Sequence, residues 1–155
     1  MQILFLWDAL DAIDPKLAED VARDLTDPVV RQRAMEMATG AWEARVATDH
    51  RIERLAPQWP PQRQARVDRN IFRLAVWELV HTSTPGKVII DEAIEMAREF
   101  STEQSPSFVN GVLDAVMKEV AAAVEADLPV DPESAAPAPP VRPSSPVKPP
   151  DSPAA

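Results

Sequence analysis

Apolar residues recur along this chain every three to four positions, and no segment keeps the strict alternation of a half-buried strand. That pattern predicts an all-α fold. Gln2 to about Leu10 reads as a short helix with no capping residue before it. Asp14-Pro15 is a restart, an N-cap with proline at the first helical position, leading into Leu17, Val21 and Leu25 at helical spacing. Asp27-Pro28 repeats the device. It opens one long amphipathic helix to about Leu55, through Val30, Met37, Trp42, Val46 and Ile52. Gly40 is its weak point, at about 1 kcal/mol relative to alanine.

Pro57 and Pro60-Pro61 end that helix and leave Trp59 in the connection. The next helix starts near Gln62. From Ile71 to Val80 its only charged residues are Arg73 and Glu78, and a helix apolar nearly all round belongs in the middle of a bundle. Pro85-Gly86 makes a turn into a helix from about Lys87 to Phe100, which buries Ile90, Ile94 and Ala97. Ser105 then caps a last helix, with Pro106 as its first residue and a core stripe of Val109, Val112, Leu113, Val116, Val120 and Val124. Asn110-Gly111, inside that helix, predicts a close helix contact at some cost in propensity.

Composition changes the picture at the carboxy-terminal end. Ten of the 17 prolines follow Leu128, in a stretch rich in alanine and serine with almost no bulky apolar residue. Such a stretch cannot bury enough surface to offset ordering entropy, so residues 127–155 read as a disordered tail of polyproline II character. Residues 1–126 form the helical domain, long enough for a core of its own. The chain has no cysteine and its apolar opening, MQILFLW, is too short for a signal peptide. No stretch approaches the roughly 20 apolar residues of a membrane span. A cytoplasmic location is expected, with no membrane contact.

The net charge of −9 argues against a generic nucleic-acid binder. It hides a local reversal. Arg51, Arg54, Arg63, Arg66, Arg69 and Arg73 face only Glu53 and Asp68 in the same stretch, a local excess of four positives. This is either a patch for RNA phosphates or an ordinary solvated helix face.

Catalytic constellations are scarce. A di-iron bundle site needs Glu-x-x-His pairs on two helices, and the chain does not supply two. Asp91, Glu92 and Glu95 lie within one turn of each other, where early acids ordinarily complement the helix dipole. There is no P-loop, dinucleotide fingerprint or G-x-S-x-G. The chain is read as a non-enzyme with no cofactor and no metal.

Phe108 is more informative. It sits at the rim of the apolar face in the first turn of the last helix, beside the backbone N–H groups freed there. Such a helix start suits an anion, a rim aromatic offers a stacking surface for an unpaired base, and Ser105 and Ser107 add hydroxyls. The other reading is that Phe108 packs against a neighbouring helix.

The wording of three segments carries a resemblance. RVDRNIFRLAVWELV, PGKVIIDEAIEMAREF and STEQSPSFVNGVLD resemble the carboxy-terminal half of the NusB family, and helix patterning alone would not dictate FVNGVLD. The likeness runs from Met1 to about Val124, dense after Val67 and sparse between Asp11 and Arg66. It implies a NusB-like bundle of about six to seven helices in two small subdomains. It also implies a transcription antitermination adaptor without catalysis, which grips boxA-type single-stranded RNA with NusE, a small ribosomal-subunit protein. Ribosomal RNA operons are the expected setting, with other Nus factors and RNA polymerase as further partners.

By resemblance, Phe108 meets RNA, with Gln104, Ser105 and Ser107 beside it, and Lys87 and Arg73 match basic positions on the same side. Asp68 matches an acidic position that looks towards NusE, and Trp77 belongs to that surface or to the core. Two departures stand out. NusB chains open with an arginine-rich segment of the form RRxARExALQ, and Met1-Gln2 begins where its Leu-Gln would stand. Either the true start lies upstream, which the missing cap before Gln2 favours, or RNA binding leans more on the partner. Gln104 also stands where an acid is common, a change expected to be neutral or favourable for RNA. Two other readings compete: a structural, homodimeric NusB-like module without RNA binding, and the NusB-like front domain of a truncated ribosomal RNA cytosine methyltransferase.

Overall fold

Both Asp-Pro pairs start helices. Asp14 Oδ1 accepts from the Leu17 N–H at 3.0 Å and Asp27 Oδ1 from the Val29 N–H at 2.8 Å, each with proline in the first helical turn. The computed structural model describes residues 1–127. Among them are seven α-helices, one 3₁₀ turn (Pro61–Arg63) and no strand. The helices are α1 (Gln2–Leu10), α2 (Pro15–Ala22), α3 (Pro28–Glu43), α4 (Arg45–Leu55), α5 (Arg66–His81), α6 (Gly86–Phe100) and α7 (Ser105–Asp127). The expected all-helical bundle of six to seven helices is what forms. The segment expected to be a disordered tail lies outside the described residues apart from Asp127. None of the described helices is long and apolar enough to cross a membrane.

The long helix expected from Pro28 to Leu55 is two helices. It breaks at Ala44, whose backbone relaxes to φ −80°, ψ −1°. Arg45 stabilises the break: its Nη1 donates to the Trp42 carbonyl at 3.0 Å, and its guanidinium lies 4.3 Å over the Trp42 ring. After the bend Val46 lies exposed, as Val30 does at the other end of the expected stripe. Gly40 is not the weak point. A Cβ there would lie 2.3 Å from the Trp77 indole nitrogen, so glycine lets α3 approach α5. Gly111, expected at a close contact, faces open space, with no atom within 4 Å of where a Cβ would sit. The tight approach in that half of the molecule is at Gly86, where a Cβ would sit 2.7 Å from Met117 Sδ of α7. The stripe along α7 is buried from Val109 to Val116 and runs out by Val124, which is exposed.

The helix expected near Gln62 begins at Arg66, after the 3₁₀ turn. It is the central element. Ile71, Phe72, Ala75 and Val76 pack with α4, α6 and α7 in one core. Leu74 turns the other way, into a second core with Ile3, Leu4 and Trp7 of α1 and Ala38, Ala41 and Trp42 of α3. The two small subdomains therefore share one helix, and α5 is buried on all sides from Ile71 to Val76 because both cores need it.

Candidate nucleic-acid interface

The arginine-rich stretch folds so that most of its charge is answered internally. Arg66, Arg69 and Arg73 recur along α5 at i, i+3 and i+7, which puts them on one face. That face meets Asp8 of α1. Asp8 Oδ2 accepts from Arg69 Nη2 at 2.6 Å, its Oδ1 accepts from Arg73 Nη1 at 2.7 Å, and Arg66 Nε stands 3.4 Å away. Arg73 also forms a two-pronged pair with Asp49 of α4, Nε to Oδ1 at 3.0 Å and Nη2 to Oδ2 at 2.6 Å. Burial works against the Asp8 carboxylate, but the hydrogen bonds and charges of Arg69 and Arg73 outweigh it and hold its pKa below the ordinary value. Burial likewise opposes the Arg73 cation, and Asp49 and Asp8 more than offset it, so its pKa lies above the ordinary value.

On α4, Arg54 donates to both oxygens of Glu119 on α7 at 2.9 and 3.0 Å, and Arg51 stands 3.7 Å from the same carboxylate. Of the six arginines only Arg63 has no acidic partner among the described residues. The expected basic patch is therefore mostly a set of internal braces. Arg73, expected to face RNA, is 5% exposed and lies at the junction of α1, α4 and α5.

Around the start of α7 the structure makes a groove of about 790 Å³. Phe108 lies half-buried on its wall, edge-on to Phe72 beneath it at 5.4 Å between centroids and to Trp59 outside it at 6.3 Å. The two readings of Phe108 meet in one geometry, packing inward on Phe72 while lining the groove. Arg63, Gln104 and Asp68 line it as well. Gln104 and Ser107 are exposed.

Ser105 and Asp68 are not displayed as expected. Ser105 is 3% exposed, and its hydroxyl donates to Asp68 Oδ2 at 2.8 Å and meets the Ser101 and Thr102 hydroxyls. It joins α7 to α5, and α7 starts one residue earlier than the cap-and-proline pattern predicts. Asp68 is 4% exposed at the floor of the groove, and its Oδ1 is buried with no hydrogen-bond partner. An unanswered buried acceptor of this kind costs about 1–3 kcal/mol.

Lys87 is exposed but opens α6, whose 15 residues put about 20 Å of helix between it and the start of α7. Trp77 is half-buried at the edge of the second core, lying against Gly40 and stacking on His81 at 5.2 Å and 15°. Glu78 and His81 stand at Glu-x-x-His spacing, yet His81 Nδ1 lies 3.0 Å from the Trp77 carbonyl, and no group of three metal-type ligands occurs among the described residues.

The NusB family model matches residues 1–118. The chain belongs to the NusB family. It is 44% identical over 128 residues to the transcription antitermination protein NusB of Solibacter usitatus, spanning 77% of this chain and 84% of that protein. It is 39% identical to the same-named protein of Sorangium cellulosum, over 75% of this chain and 84% of that one. The solved structure of T. maritima NusB superposes with a TM-score of 0.70 at 34% identity, covering 82% of this chain and 91% of that one. The crystal structure of antitermination factors NusB and NusE in complex with dsRNA shares the fold, with a TM-score of 0.68 at 24% identity, covering 76% and 89%.

Sequence reasoning left Trp59 in a connection and said nothing of Asp8, Asp49 or Gln64. Trp59 had a signal, a tryptophan set among prolines where no core requires one. Asp8 and Asp49 had none, because their partners lie 65 and 24 residues away along the chain.

Proposed function

We propose that this protein is a transcription antitermination factor that binds boxA-type single-stranded RNA together with NusE, supporting transcription of ribosomal RNA operons in concert with other Nus factors and RNA polymerase. The observation that carries this reading is the groove at the start of α7, with Phe108 seated on Phe72 and flanked by the half-exposed Trp59. Aromatic faces beside a helix start suit an unpaired base and its phosphate. The antitermination names of the relatives support it, and a solved complex of the same fold holds NusE and dsRNA. Gln104 and Ser107 are the exposed polar contacts, Ser105 positions the groove from beneath, and Lys87 is a more distant phosphate contact.

The internal bracing of the arginines gives a distinctive expectation. With Arg63 and Lys87 as the phosphate contacts, the logarithmic salt slope is shallow, on the order of −1 to −2. Fluorescence anisotropy of boxA-type RNA and a scrambled control, with and without NusE, tests the proposal. Sequence-selective binding that tightens with NusE supports it, and Phe108→Leu then weakens binding about tenfold. The same bracing favours one alternative, a NusB-like module that does not bind RNA. Absence of selective binding with NusE present decides for that reading.

A further inference from the structure

Asp68 and Trp59 belong to one groove but are held by different means. Asp68 Oδ2 accepts from the buried Ser105 hydroxyl, leaving Oδ1 as a buried acceptor with no donor among the described residues. Nearby hydroxyls do not answer it: those of Ser101 and Thr102 turn to Ser105. Trp59 is 51% exposed yet fixed in place. Its backbone N–H donates to the Ala56 carbonyl at 2.9 Å, and its backbone carbonyl accepts from the side chain of Gln64, itself only 7% exposed, at 2.9 Å. A buried glutamine thus holds the backbone of Trp59, whose indole packs edge-on to Phe108 and is otherwise half open. Arg63 lies on the same groove with its charge unanswered among the described residues.

An aromatic platform, a lone acceptor and that cation match three parts of one nucleotide: base face, base edge and phosphate. We propose that the groove holds a single unpaired RNA base bearing an amino group on its pairing edge, stacked on Trp59, with Asp68 Oδ1 accepting from that amino group and Arg63 meeting the phosphate. The groove's volume lies in the range of small-ligand sites. Uracil is disfavoured, since it has no amino group and its one pairing-edge N–H lies between two carbonyl oxygens that repel a carboxylate. A buried acceptor left unpaired by the wrong base is what makes such discrimination large. Asp68 then sets specificity at one RNA position, and Trp59 supplies affinity without regard to base.

This inference rests on the RNA reading above and sharpens it. The experiment is anisotropy with boxA-type RNAs carrying uracil at each position in turn, in the presence of NusE, using wild type, Asp68→Asn and Trp59→Leu, with tryptophan fluorescence read in parallel. At one position uracil is expected to cost wild type about tenfold. Asp68→Asn brings that position close to parity and leaves the others unchanged, because a carboxamide also donates. Trp59→Leu weakens every RNA about tenfold and abolishes the quench that RNA produces in wild type. If wild type binds but both variants keep its affinity, quench and base preference, the inference is overturned while the RNA function stands. If wild type shows no binding, both fall together. Should Asp68→Asn lose helix content, Trp59→Leu decides, since its side chain lies outside both cores.

Discussion

Arg73 and Asp68 ride the same helix, both buried, and differ in what surrounds them. Arg73 meets Asp8 and Asp49 through hydrogen bonds of 2.6–3.0 Å and ties three helices together. Asp68 has one donor, Ser105, and an oxygen with none. The first cluster has its own blemish, since Arg69 Nε is buried without a partner, but its remaining nitrogens reach Asp8 and the Pro61 carbonyl. Charge answered inside the fold contributes to holding it, whereas charge left half-answered beside a groove is available to a ligand.

The sharpest way to break the comparison is to remove Arg73. Arg73→Ala strands Asp8 and Asp49 without their main partner, and such losses cost about 3–5 kcal/mol, readable as a lower urea midpoint at unchanged m-value. Asp68→Asn is expected to cost several-fold less, because the carboxyl already lacks a donor at one oxygen and the amide keeps an acceptor for Ser105. Equal costs for the two substitutions would dissolve the distinction.

Acid titration sharpens it. The Asp8 pKa is depressed by folding, so its contribution is fully present above the ordinary value of 3.8 and is lost as pH falls through the depressed one. The stability gap between wild type and Asp8→Asn is therefore constant at neutral pH and closes below about pH 3.8. A gap that widens on acidification contradicts the assigned ion pairs.

The two glycines give smaller effects of opposite sign. Gly40→Ala drives a methyl into the Trp77 indole and costs about 1–3 kcal/mol, measured by thermal unfolding. Gly111→Ala meets nothing and gains up to about 1 kcal/mol from helix propensity alone. Reversal of either sign would misplace the close approach between helices.

Much of the architecture was legible because its signals are short-range. The two Asp-Pro starts, the proline-marked ends and the apolar girth of α5 are each set within one or two turns, and all three appear in the fold. The break at Ala44 was not legible, since no glycine or proline marks it and the bend is held by Arg45 acting on Trp42. Phe108 was legible as a rim residue. Ser105 was misjudged because its natural partner by local rules is the helix it begins, while Asp68 claims it across 37 residues.

The residues alone determined all the helices but the split of α3 from α4, their order and the family wording of the last three, since caps, periodicity and turn chemistry act between near neighbours. Only the tertiary structure decided which charges are braces and which face a groove. Asp8 and Arg73 stand 65 residues apart and meet at 2.7 Å, and a charge has no assigned role until folding brings its counter-charge within reach.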